Sequence, residues 1–203
     1  MWYFSWVLGV LLACALGIIN LLWLEAQESL DQDSSVLDPL TKLITRVEFL
    51  EVLEETIERC KGDGSPFSLL LVSLDAFQAI LQQEGDDAAN ESVLAVTDII
   101  AHETRRGIDS VARYDAETFA ILLPGAHTPA AETIARRICD QATDRLGNKA
   151  AGSIVSIGIA EYPKHGCAEC ADRARNEVET ILRATDETLK RAKQQPGGTL
   201  CCA

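Results

Sequence analysis

From Trp2 to Leu24 the chain carries no charged residue, and Glu25 ends the run. A helix needs ~20 apolar residues to cross the hydrocarbon core of a bilayer, and a helix satisfies its own backbone polar groups in lipid. Residues 1–25 are therefore expected to form one transmembrane α-helix, with everything beyond them built as a separate unit. A cleaved secretory signal fits less well, because the start lacks Lys and Arg and the run exceeds the ~7–15-residue apolar core of such signals. The same lack of a basic start weakens a lipoprotein reading of Leu11-Leu12-Ala13-Cys14. Gly9, Ala13 and Gly17 recur every four residues, a narrow stripe along which a second helix could approach closely. Trp2, Tyr3, Trp6 and Trp23 mark the two interfaces, and the amide of Asn20 seeks a partner on a neighbouring helix or on its own backbone. A plain anchor, with the stripe packed against nothing, is the alternative.

Residues 26–37 are rich in Gln, Glu, Asp and Ser and read as a polar linker. The rest of the chain, 38–203, alternates strand and helix signals. Leu50, Leu53, Ile57 and Cys60 share one face of a helix from Arg46 to Cys60, which Gly62 and Gly64 would end. Phe67 to Leu74 is an almost unbroken apolar run of strand length, expected to be buried on both faces. Ser110–Tyr114 and Thr118–Leu123 read as a hairpin whose small turn projects Asp115, Ala116 and Glu117. Further helices are expected over Ala88–Thr104, Thr128–Asp144 and Glu177–Gln195, with a strand over Ser153–Pro163. Such an order predicts an α/β fold, a ferredoxin-like sandwich with a central, mostly antiparallel sheet flanked by helices, preceded by the transmembrane helix.

Charge and cysteine usage narrow the function. With 31 acidic against 18 basic residues the formal net charge is −13, which argues against a protein that wraps nucleic acid or clings to anionic lipid. The seven cysteines are odd in number and scattered, so reduced thiols in the cytoplasm are expected rather than a disulfide framework. Cys167-x-x-Cys170 with His165 hints at zinc, but Cys201-Cys202 lacks the spacing of a completing pair. Free thiols in a loop are the simpler reading, and no metal site is expected.

Met1-Trp-Tyr-Phe, Trp6, Leu8-Gly9, Leu11-Leu12-Ala13-Cys14, Gly17, Ile19, Leu22 and Leu24-Glu25 closely resemble the small single-helix accessory subunit of cytochrome bd quinol oxidase. That resemblance implies a bacterial inner-membrane protein docked on the large oxidase subunits through Gly9, Ala13 and Gly17. The span has no His, and small residues flank its Cys14, so no haem ligand is expected. An N-terminus outside and a domain in the cytoplasm would suit reduced thiols and access to nucleotide.

A second resemblance covers residues 38 to 200. Asp38-Pro39-Leu40-Thr41-x-Leu43-x-x-Arg46-x-x-Phe49, Arg106-x-x-Asp109, and Ser156-Ile-Gly-Ile-Ala160-x-Tyr162-Pro163 resemble the GGDEF family. Its members, the diguanylate cyclases, join two GTP molecules into cyclic di-GMP. The signature falls on Asp115, Ala116, Glu117, Thr118 and Phe119, of which only the third and fifth positions match. Ser73 stands where the family holds divalent metal with an Asp, and Gln78, Leu81 and Asn90 or Glu91 stand where it has a Lys and its guanine readers. Lys190 and Gly197 replace its Tyr and a phosphate-holding Arg. The resemblance thus implies a domain without catalytic residues or a bound cofactor of its own, while Glu117 survives as a possible metal ligand or proton acceptor.

Arg106 and Asp109 keep the residue types and placement of the family's product-binding inhibitory site, five residues before the turn. A guanidinium can pair bidentately with a guanine edge, and a carboxylate can accept from guanine N–H groups; a surface salt bridge between the two is the plainer reading. For Asp75, metal binding competes with capping of the next helix. Three functions remain open from sequence: an inactive domain that binds cyclic di-GMP on an oxidase subunit, an active cyclase using Mg²⁺ and GTP, and a scaffold for protein contacts.

Overall fold

A computed structural model describes Val7 and residues 37–147, 154–162, 174–194 and 200–202, apart from the side chains of 174–176 and 200–202. The expectations for the apolar run and its Gly9, Ala13, Gly17 and Asn20, and for His165, Cys167 and Cys170, lie outside the described residues. The chain divides into two compact units, Met1–Val36 and Leu37–Ala203. Among the described residues no helix is long and apolar enough to cross a membrane.

The second unit is a mixed α/β fold whose sheet is flanked by helices. Its elements run β1 Ile44–Thr45, α1 Arg46–Asp63, β2 Phe67–Leu74, α2 Phe77–Glu84, α3 Asp86–Glu103, β3 Ser110–Arg113, β4 Thr118–Pro124, α4 Thr128–Leu146, β5 Val155–Tyr162, α5 Ala174–Gln194 and β6 Leu200–Cys202. The sheet order is β1-β3-β4-β2-β5-β6. The inner pairs β3–β4, β4–β2 and β2–β5 are antiparallel, and the two edge pairs are parallel.

β2 is central because its side chains can be buried on both faces, and all eight of its positions are. The pleat alternates them between two cores. Leu70, Val72 and Leu74 join Val93, Val96, Ile100 and Ile138 beneath α3 and α4. Leu69 and Leu71 join Phe49, Leu53, Ile57, Ile181 and Leu189 beneath α1 and α5. A single strand thus feeds both layers of the sandwich.

The expected helix from Arg46 runs past Gly62, and Gly64 alone ends it, at φ 71° with its N–H donating to the Cys60 carbonyl. α2 has no counterpart among the sequence expectations. It is short and buries only Phe77 and Ile80, too little periodicity to announce a helix. Gly158 permits a closer approach than any side chain would: a Cβ there would lie 2.5 Å from the Thr185 carbonyl oxygen and the Leu189 nitrogen. α5 therefore lies directly on β5, which fixes where its last turns reach.

Candidate functional site

The β3–β4 hairpin closes without glycine. None of residues 114–118 has a positive φ, so the two signature positions occupied by Asp115 and Ala116 do not need glycine's freedom here. Asp115 organises the turn with its side chain. Its Oδ1 accepts from the Glu117 N–H at 3.0 Å and the Thr118 N–H at 2.8 Å, the local bonding that makes Asp a turn residue. The Glu117 carbonyl accepts from the Leu74 N–H at 2.8 Å. Arg113 braces the turn from below, donating to the Ala116 carbonyl at 3.2 Å and to both Asp38 oxygens at 3.1 and 3.2 Å.

Burial works to raise the Asp38 pKa. The hydrogen bonds from the Thr41 N–H and hydroxyl and from Arg113 outweigh it, and the net shift is downward. Arg46 adds a cation over the Tyr114 ring, 4.5 Å from its centre.

Behind the turn, β2 delivers Ser73, Asp75 follows directly after its last residue, β5 delivers Ser156, and α5 delivers Lys193. Ser156 donates its hydroxyl to Asp75 Oδ2. The Lys193 ammonium lies between two carboxylates, 3.9 Å from Asp75 Oδ1 and 3.5 Å from Glu117 Oε1. Burial raises the Asp75 pKa, the Ser156 hydroxyl and Lys193 oppose the rise, and Glu117 adds to it. Asp75 caps nothing: the residue at the N-cap of α2 is Ala76, with no side-chain cap bond. The capping expectation fails because Ser156 and Lys193, both brought in from distant sequence, hold the carboxylate instead. Between turn and α5 lies a cleft of about 210 Å³, lined in part by Tyr114, Asp115, Glu117, Asp186, Lys190 and Lys193.

The other end of the hairpin is a tight corner between α3 and β3. Gly107 adopts φ 75°, and the N–H groups of Ile108 and Asp109 both donate to the Arg105 carbonyl. Arg106 and Ile108 are exposed. Asp109 is bonded, but to Arg105 rather than Arg106: the Arg105 guanidinium donates to its Oδ1 at 2.7 Å, and the Arg105 backbone N–H donates to its Oδ2 at 2.7 Å. The salt bridge weighed for Arg106 therefore belongs to its neighbour. Strand geometry of ~3.3 Å per residue puts Asp109 roughly 15–20 Å from the turn, so the hairpin carries two separate places and not one composite site.

Residues 35–199 match the family model for the diguanylate cyclase GGDEF domain. The chain belongs to the GGDEF family. Residues 1–27 match a second model, for membrane bound YbgT-like protein, which supports a membrane-associated N-terminus. The probable diguanylate cyclase DgcT of Escherichia coli is 24% identical over 95% of this chain and 41% of its own length. The cyclic di-GMP phosphodiesterase NbdA of Pseudomonas aeruginosa is 26% identical over 68% of this chain and 18% of its own length. This chain thus spans less than half of either relative. Among solved structures, the GGDEF domain of DgcB from Caulobacter crescentus in complex with c-di-GMP superposes with a TM-score of 0.70 at 20% identity, covering 83% of this chain and 95% of that one.

GGDEF cyclases imply Mg²⁺ and GTP, and the residues behind this turn do not fit that set. Mg²⁺ seeks carboxylate and phosphate oxygens at ~2.0–2.1 Å in near-octahedral geometry. Here Ser73 offers a neutral hydroxyl with no accessible surface and no hydrogen-bond partner among the described residues. One Asp75 oxygen already accepts from Ser156, and an ammonium sits beside the other. At the guanine-reading position Leu81 packs on the apolar core, and at the position of the family's Lys Gln78 is exposed. The turn amides that would face phosphate are bonded to Asp115.

Two partnerships did not emerge from the sequence. Asp186, Leu189 and Ala192-Lys193 resemble the GGDEF terminal pattern, yet only the packing of α5 on Gly158 brings Lys193 to Glu117. Arg105 stands four residues before Asp109, an ion-pair spacing that was legible but eclipsed by the motif starting at Arg106.

Proposed function

We propose that this GGDEF domain binds cyclic di-GMP at Arg106 and Asp109 without synthesising it, and that the N-terminal segment docks the chain on a cytochrome bd quinol oxidase. On this reading the protein sits in the bacterial inner membrane with its N-terminus outside and its domain in the cytoplasm, giving the oxidase a second-messenger input. The contrast between the hairpin ends carries the proposal. At the turn, side chains occupy the groups that substrate and metal would need; at the corner, Arg106 is exposed and has no ion-pair partner among the described residues. An exposed guanidinium can pair with the O6/N7 edge of guanine in two parallel bonds.

Titration calorimetry on the full chain in detergent tests ligand binding. Cyclic di-GMP should bind saturably, and Arg106→Ala should weaken it by about 1.5–3 kcal/mol, the scale of a charged hydrogen bond. No heat from a demonstrably folded chain would sink the reading. Incubation with GTP and Mg²⁺ should yield no cyclic di-GMP; a product that disappears in Glu117→Ala would make the domain a cyclase. Affinity purification tests the docking: tagged chain should bring down haem-containing oxidase subunits, and Gly9→Leu should lose them.

A further inference from the structure

The two proposed ligand groups are not equally available. Arg106 is exposed, whereas the Asp109 side chain has no accessible surface while that of Arg105 is 53% exposed. The Arg105 guanidinium donates to Asp109 Oδ1 from its terminal nitrogen at 2.7 Å, and its Nε lies 3.2 Å from both oxygens. A third donor, the Arg105 backbone N–H, holds Oδ2. The same guanidinium donates to the Pro124 carbonyl at 3.2 Å, which anchors the fork across the end of β4. Asp109 in turn raises the guanidinium pKa, mainly through those hydrogen bonds.

Guanine presents adjacent N–H donors, and a fork of N–H donors is what Arg105 already offers the carboxylate. Both cannot occupy the same oxygens. We propose that Arg105 is an internal competitor for Asp109, so that a guanine nucleotide takes the corner only in molecules where the Arg105–Asp109 pair has opened. This rests on the reading of Arg106 and Asp109 as the ligand site.

Exchange is physically reasonable because the two partners differ in what they lose. Arg105 can swing into water, being half exposed already. Asp109 cannot be left unpaired under cover without a penalty, so the pair opens usefully only when an incoming ligand supplies donors of its own. The apparent affinity is the intrinsic affinity scaled by the open fraction.

Calorimetric titration of cyclic di-GMP into the full chain in detergent, comparing wild type with Arg105→Gln and Arg105→Lys, tests the competition. If the pair leaves Asp109 open about one-tenth of the time, Arg105→Gln should bind about tenfold more tightly. Arg105→Lys should fall between, since an ammonium offers no planar fork. Thermal melting of the ligand-free Arg105→Gln chain should not rise, so tighter binding would not reflect a stiffer domain. Detectable binding by Arg105→Gln alone, with none by wild type, would also support competition. Wild-type binding that Arg105→Gln leaves equal or weaker would overturn it while the ligand site stands, marking Arg105 as a ligand contact or a bystander. No binding by any of the three folded chains would overturn both.

Discussion

The two ends of the β3–β4 hairpin started from one family pattern and are organised in opposite ways. At the closed end, Asp115 and Arg113 bond the turn's amides and a carbonyl from within the protein, and the Lys193 ammonium lies beside the Asp75 and Glu117 carboxylates. At the open end, one arginine covers the buried carboxylate and the next stands exposed. The difference teaches that a turn whose signature residues are substituted need not be a loose one: the substituted residues make bonds of their own, and these bonds use the turn amides within the protein.

If the closed end is a structural knot, the largest effect of breaking it should come from Arg113→Ala. That change leaves Asp38, whose side chain is 16% exposed, without its cation and frees the Ala116 carbonyl. A loss of about 2–3 kcal/mol is expected in denaturant unfolding. The pH dependence sharpens the test. The folded pKa of Asp38 lies below its ordinary 3.8, so its contribution is present above about pH 4 and disappears as pH falls through the lowered value. The variant should show a weaker acid-side decline than wild type.

Asp115→Ala comes next. It removes the acceptor for two turn amides and should cost about 1 kcal/mol, as for other short-range caps, with no GTP turnover gained. Appearance of cyclase activity would show that Asp115 alone blocked an otherwise competent site, and the contrast between the ends would collapse.

Lys193→Met should be milder, about 0.5–1 kcal/mol near neutral pH, because the ammonium and both carboxylates are partly exposed. Its sign with pH is informative. Burial raises the Asp75 pKa above 3.8, so this group favours the folded state most when protonated, and that benefit is lost as pH climbs through the raised value. Lys193 limits the loss. The variant should therefore differ least from wild type in acid and most above the Asp75 titration, which unfolding curves from pH 3 to 8 would show.

Arg106→Ala should change stability least, by within about 0.5 kcal/mol for an exposed side chain, while weakening cyclic di-GMP binding. A large stability loss there would mean that the open end is also a structural knot, and would remove the ground for treating it as a ligand surface.

Much of the domain was legible in the chain itself. Phe67 to Leu74 has no alternation and no charge, and a strand with two apolar faces can only be central. The helix from Arg46 declared itself through apolar residues at helical spacing, and the hairpin through two strand-like runs around Asp115, Ala116 and Glu117. The substitutions at Ser73, Leu81, Asp115 and Ala116 were likewise visible, since they change residue chemistry at fixed positions. What the sequence could not supply was partnership across distance. Nothing local says that Ser156 rather than α2 holds Asp75, or that Lys193 reaches Glu117; the first follows from the antiparallel pairing of β5 with β2, the second from α5 resting on β5 where Gly158 has no side chain. Nor could it decide which of two consecutive arginines covers Asp109. The Gly107 turn folds the Arg105 backbone back against Asp109 and leaves Arg106 outside, a choice that depends on chain direction in space and not on residue type.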